Sequence, residues 1–282
     1  MVLAISSASL LLSSCSIAPK NTTDQGKQSL YDRVIQSGKI RCGYVIDPPG
    51  CIKDPNTGKL SGIGIEAVEL IGKKLGLVID WTEEVGWGTM LEGLQTGRYD
   101  MVATPIWTNA NRAKIVAFSE PLYFSPIFVY AKKGDHRFVG HLEKIDLPSV
   151  KIATVDGDTG QVIADADYPK AGRLSSPQMT DLSHNLLSVA TGKADVAFAD
   201  PTLSVRYVIN NPNSVENISR VHPVRVFPNC LSFARGEFEF KAMFDTVLQE
   251  VMNSGAMDKI ISKYEAAPNV VYRAALPYQF PK

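Results

Sequence analysis

Gly97-Arg98-Tyr99-Asp100, Met101-Val102-Ala103, Thr104-Pro105-Ile106-Trp107, and onward through Arg112 to Phe118-Ser119-Glu120-Pro121-Leu122-Tyr123 is the stretch that decides the fold. Gly97 stops a helix, and the apolar run from Met101 makes a short buried strand. A turn through Pro105 and Trp107 follows, and a lone Arg112 stands just past the strand's C-terminal end. In open α/β sheets that edge is where ligands sit. A guanidinium there offers a rigid fork of donors matched to a carboxylate.

Upstream of this stretch, Ile40, Cys42, Tyr44 and Ile46 alternate as a first strand, closed by Asp47-Pro48-Pro49-Gly50. Asp54 to Gly58 reads as a hairpin turn. Ile65, Val68, Ile71 and Leu75 share one helix face, with Lys73 and Lys74 in the last turn and Gly76 as the stop. Leu77, Ile79 and Trp81 make a second strand, and Thr89 opens a short helix ending at Gly97. The order β-α-β-α-β predicts a parallel sheet.

Downstream, a strand over Ile127–Ala131 runs into the polar break Lys132-Lys133-Gly134-Asp135. Ile152–Val155 is a strand that leads through Gly157-Asp158-Thr159-Gly160 into a helix. A helix over Leu182–Ala190 feeds the strand Ala194–Phe198, and Asp200-Pro201 starts another helix. Thr96-Gly97-Arg98-Tyr99-Asp100 and Thr191-Gly192-Lys193-Ala194-Asp195 echo one another: helix stop, basic residue, Asp, buried strand. Amphipathic helices containing Phe244, Val247, Leu248 and Val251, then Met257, Ile260, Ile261 and Tyr264, close the chain.

With 29 basic and 29 acidic side chains in 282 residues, nothing points to a nucleic-acid partner. Met1 to Ser14 carries no charge and reads as the apolar part of a secretory segment. Leu12-Ser13-Ser14-Cys15 resembles the bacterial lipobox, which implies a lipidated Cys15 as the mature N-terminus and membrane anchoring of an exported protein. Ser16 to Ser29 is polar and aperiodic, and a flexible tether is expected over 16–36. Of the remaining cysteines, Cys42–Cys51 and Cys51–Cys230 are both open as pairings. His136, His141, His184 and His222 have no metal-site spacing, and there is no Gly-x-Ser-x-Gly or phosphate loop.

The run from Gly97-x-x-Asp100 through Arg112 to Phe118-Ser119-x-Pro121, with the chain's closing helices, resembles the family 3 bacterial extracellular solute-binding proteins from about Ser37 to Tyr264. That resemblance implies an α/β two-lobe periplasmic-binding-protein fold (type II) with a ligand cleft between mostly parallel sheets. The expected first lobe is 37–131 with 230–282, and the second is 132–229. It implies that Arg112 clamps a ligand α-carboxylate, that the Asp158-Thr159 turn adds helix-start N–H groups, and that Asp200 holds the α-ammonium. Asp158 and Asp200 also have a structural reason to be there, as N-caps, and Asp200 is followed by Pro at the first helical position.

Asn109 stands three residues before Arg112, where the family carries Thr. Thr104, Pro105 and Trp107 are expected around the ligand side chain, and Tyr44 and Asp47 flank the first strand's end. Asp47 suits a basic side chain and is also ordinary turn chemistry. Trp81 and Trp87 are expected in the core or at the rim. The implied function is capture of an amino acid or derivative by a monomer and delivery to an ABC permease, without cofactor, metal or catalysis. The alternatives are a receptor for a signalling partner and a cyclohexadienyl dehydratase-like enzyme, for which Glu143 and Glu216 are the second lobe's glutamate candidates.

Overall fold

The computed structural model describes residues 28–177, 180–268 and 270–274. The first half of the chain runs α1 (Leu30–Ser37), β1 (Lys39–Tyr44), the hairpin strands β2 (Ile52–Lys53) and β3 (Leu60–Ser61), α2 (Ile63–Leu75), β4 (Val78–Glu84), α3 (Met90–Gln95), β5 (Met101–Trp107), α4 (Ala110–Ala113) and β6 (Val116–Phe118). The long strand β7 (Tyr123–Lys132) leads out of it. The second half holds β8 (Lys151–Val155), α5 (Thr159–Asp167), β9 (Gly172–Ser176), α6 (Ser183–Ala190), β10 (Val196–Ala199), α7 (Pro201–Asn210) and β11 (Val215–Asn217). The strand β12 (Arg225–Ala234) returns the chain to α8 (Phe238–Asn253), α9 (Ala256–Tyr264) and β13 (Tyr272–Arg273).

Strand order is β4-β1-β5-β12-β7-β10-β8-β9. The outer neighbours are parallel in both halves: β1 with β4 and β5, and β8 with β9 and β10. The two halves meet in antiparallel strands. Tyr123 to Ile127 of β7 pair with β12, whereas Phe128 to Ala131 pair with β10. The change of partner thus falls inside β7, ahead of the crossing expected after Ala131. Asn229 is the matching point on β12, opposite both Tyr123 and Trp107. Two lobes therefore share two continuous strands.

Each lobe is three layers. In the first, α1, α2, α8 and α9 bury Val34, Ile71, Phe244 and Ile261 against one sheet face, and Met90 and Leu94 of α3 cover the other. In the second, Ile163 of α5 packs on one face and Leu186 and Val189 of α6 on the other. Alternation along the strands sends Ile152 to the first face and Ala153 to the second.

The echo between the lobes has a physical meaning. Asp100 N donates to Arg41 O (2.8 Å), and Arg41 N donates back to Asp100 Oδ2 (2.7 Å). In the second lobe Asp195 N donates to Lys151 O (2.8 Å), and Lys151 N donates to Asp195 Oδ2 (2.8 Å). Each Asp thus pins a strand start to its parallel neighbour. Each also meets a guanidinium, Arg41 Nη2 on Asp100 (2.8 Å) and Arg137 Nη2 on Asp195 (2.6 Å).

Three expectations change. Residues 30–36 are not tether but helix: Ser29 caps α1 by accepting from Asp32 N (3.0 Å), Leu30 and Val34 are buried, and Arg33 reaches Asp100. The strand from Met101 continues through Pro105 to Trp107, because β12 pairs along it to Ile106 and Trp107. Cys42, Cys51 and Cys230 are buried free thiols, so neither disulfide forms. Cys15 and the first 27 residues lie outside the described residues. Among the described residues no helix is long and apolar enough to cross a membrane.

Candidate functional site

The strands β1, β5 and β10 end at one edge where the lobes face each other, and the groups that follow them converge there. A cleft of about 420 Å3 lies at this edge, lined by Asp47 after β1, by Pro105, Trp107 and Arg112 at the end of β5, and by Asp200 and Arg206 of α7. The shared strands supply its floor through Tyr123, Ser125 and Asn229.

Arg112 is held by its own short loop. Asn109 caps α4 by accepting from Arg112 N (2.9 Å), and Arg112 Nη1 donates to Trp107 O (2.6 Å). Trp107 is in turn fixed by stacking on Phe227, with ring centroids 4.9 Å apart and planes at 14°. Among the described residues Arg112 has no carboxylate partner, and burial lowers its pKa. A half-buried guanidinium with open donors is a site for an anion.

Asp200 caps α7, accepting from Leu203 N (3.1 Å). Burial raises its pKa, against the pull of backbone N–H groups at the helix start. Asp47 sits in a tight turn closed by reciprocal backbone bonds with Cys51, at 2.9 Å each. Its surface is exposed, yet the concave surroundings displace much of its hydration. Burial, then the Asp200 carboxylate, push its pKa up to about 6, with Arg206 opposing. Burial likewise raises the Tyr123 phenol, helped by Asp47 and Asp200. An ammonium placed among these groups relieves the repulsion between the two carboxylates.

Of the residues expected from sequence, Arg112, Asp200, Asp47, Pro105 and Trp107 come together in this cleft. Thr104 does not face it: the residue is fully buried, with Oγ1 donating to Val45 O (2.7 Å) and accepting from Val45 N (2.8 Å). Tyr44 is core, edge-on to Trp81 at 6.1 Å. Asn109 orients Arg112 and is not part of the lining. Asp158 and Thr159 start α5 at the neighbouring strand end but do not line the cleft either. Asp158 accepts from Gln161 N (2.6 Å) and from Asn185 Nδ2 (3.3 Å). Trp87, 47% exposed, also lines the cleft.

Arg206, Asn229, Ser125 and Leu182 were not expected. Arg206 had a signal in the spacing from Leu203, which puts both on the cleft face of α7. Asn229 had none, since its role comes from lying opposite both Tyr123 and Trp107. There Asn229 Nδ2 donates to Ser125 Oγ (2.8 Å).

The family described as bacterial extracellular solute-binding proteins, family 3, matches residues 40–267. A probable amino-acid ABC transporter-binding protein of Haemophilus influenzae is 23% identical over 207 residues, 72% of this chain and 76% of the relative. The L-cystine-binding protein TcyA of Bacillus subtilis is 24% identical over 221 residues, 77% of this chain and 76% of the relative. Among solved structures, a putative binding component of an ABC transporter from Wolinella succinogenes, complexed with lysine, superposes with a TM-score of 0.67 at 18% identity, covering 82% of this chain and 97% of that one.

Proposed function

The chain belongs to the bacterial extracellular solute-binding proteins, family 3, and from that membership we propose that it captures an amino acid or a derivative in the inter-lobe cleft and delivers it to an ABC importer. One observation carries the reading: Arg112 of the first lobe and Asp200 of the second line one cleft, and neither has an ion-pair partner among the described residues. They suit the carboxylate and the ammonium of one zwitterion. The relatives named for amino acids, cystine and a bound lysine fall in the same ligand class.

Because the two groups come from different lobes, a bound ligand ties the lobes together and favours their closure about β7 and β12. Closure brings the start of α5 toward the ligand, and Thr159 then adds helix-start N–H groups to the carboxylate. Anchoring through Cys15, action as a monomer and transfer to a permease pair complete the proposal. Glu143 and Glu216, the candidates for a dehydratase acid, both lie away from the cleft: Glu143 is beside His141, and Glu216 pairs with Lys133.

A thermal-shift panel of free amino acids tests the reading. Ligands raise the melting temperature of the unaltered protein, and Arg112→Ala abolishes the rise while melting normally without ligand. A panel of all standard amino acids and common derivatives that leaves the melting temperature unmoved refutes it.

A further inference from the structure

The cleft holds more charge than one amino-acid head uses. Besides Arg112 and Asp200 it is lined by Asp47, from the turn after β1, and by Arg206, on α7 of the opposite lobe. Among the described residues neither side chain makes an ion pair or a hydrogen bond. The lining therefore carries two carboxylates and two guanidiniums, one of each sign on each lobe.

Consider what each kind of ligand side chain meets. A cationic side chain satisfies Asp47 and is driven against Arg206. An anionic one satisfies Arg206 and is driven against Asp47. An apolar one strips water from both and returns no partner. A side chain that itself ends in an ammonium and a carboxylate meets all four groups. It also places one ammonium by each of two carboxylates that otherwise repel. The cleft, at about 420 Å3, is of a size that encloses small ligands of this kind.

Resting on the amino-acid reading above, we propose that the solute is a bis-amino acid, a molecule with an amino-acid head at each end, one head held by Arg112 and Asp200 and the other by Arg206 and Asp47. The two heads then bridge the lobes twice.

Isothermal titration with three compounds that share one C2-to-C6 carbon skeleton tests this: meso-2,6-diaminopimelate, L-lysine, which lacks the second carboxylate, and L-2-aminopimelate, which lacks the second ammonium. L-Cystine serves as a second bis-amino acid. The two-headed compounds bind at least about tenfold tighter than either single-headed one. Arg206→Gln collapses the ratio of diaminopimelate to lysine affinity toward one, and Asp47→Asn collapses the ratio of diaminopimelate to aminopimelate affinity. Lysine or aminopimelate binding as tightly as the two-headed compounds overturns the proposal and leaves the amino-acid reading standing. Variants that weaken every ligand equally, with unmoved ratios, also overturn it, since Asp47 and Arg206 then act on lobe closure. No binding of any amino acid fells both readings.

Discussion

Asp47 and Asp200 line one cleft from opposite lobes, and the Asp200 carboxylate, after burial, helps raise the Asp47 pKa to about 6. In the unfolded chain an Asp titrates near 3.9, so between about pH 4 and 6 the folded, ligand-free protein binds the extra proton. Its stability therefore falls as pH rises through that window, and the cost is fully present above it. Solvent at the exposed Asp47 screens the interaction, which discounts the effect to about 1 kcal/mol. Asp47→Asn is expected to stabilise the ligand-free protein by that amount at pH 7.5 and to leave it unchanged at pH 4, as read by chemical denaturation. Equal effects at both pH values would remove the electrostatic cause.

Asp200 caps α7 and is proposed to hold the ligand's ammonium, and two substitutions separate the cap from the proposed role. As N-cap of α7 it accepts from Leu203 N, a function that Asn performs equally well and Ala does not. Asp200→Asn keeps the cap and removes the charge, so ligand affinity falls by roughly 3–5 kcal/mol while ligand-free stability is held or gained. Asp200→Ala loses the affinity and also about 1 kcal/mol of stability. Denaturation curves beside ligand titrations check the pair. An Asn variant that binds normally would show that Asp200 is only a cap.

Asp100 and Asp195 make the same backbone bonds at equivalent places but differ in burial. Asp100 is 2% exposed and accepts from Arg41 N and the Arg41 guanidinium, with Arg33 adjoining. Arg137, the partner of Asp195, is mostly exposed. Asp100→Ala removes a buried carboxylate that accepts from Arg41 N and meets two half-buried guanidiniums, and is expected to cost about 3 kcal/mol. Asp195→Ala is expected to cost about 1 kcal/mol, the worth of one backbone hydrogen bond and a surface pair. Urea midpoints of the two variants decide the ranking.

The parallel halves of the sheet were legible because their signals are local. Gly97 and Gly192 stop helices, and the apolar strands after Asp100 and Asp195 have no other place to go. Arg112 and Asp200 were legible for the same reason: each follows a strand end within a few residues. What escaped were properties set by distant partners. Thr104 follows an apolar run like any edge hydroxyl, yet Val45, far away in sequence, takes both its hydrogen bonds. Strand β5 runs past Pro105 because β12, more than a hundred residues later, pairs with Ile106 and Trp107. The polar stretch before Ser37 hid a helix of two turns, whose Leu30 and Val34 are too few to show a period without α8 opposite.

Gly64 connects packing to the site. It sits in α2 where the helix crosses β5, and a Cβ there would lie 2.4 Å from Ala103 O and 2.5 Å from Pro105 Cδ. Neither neighbour is the end of a flexible side chain, so α2 and β5 must part. Gly64→Ala is expected to cost about 1–3 kcal/mol, the range for overpacking a filled interior. Because Pro105 also lines the cleft, the same shift moves the wall against which the ligand rests, and affinity falls with stability. Gly88, whose Cβ would meet nothing within 4 Å, is the control: Gly88→Ala is expected to change neither. Denaturation and ligand titration of the two variants read both effects, and a Gly64→Ala protein as stable as the unaltered one would show that α2 and β5 do not pack this closely.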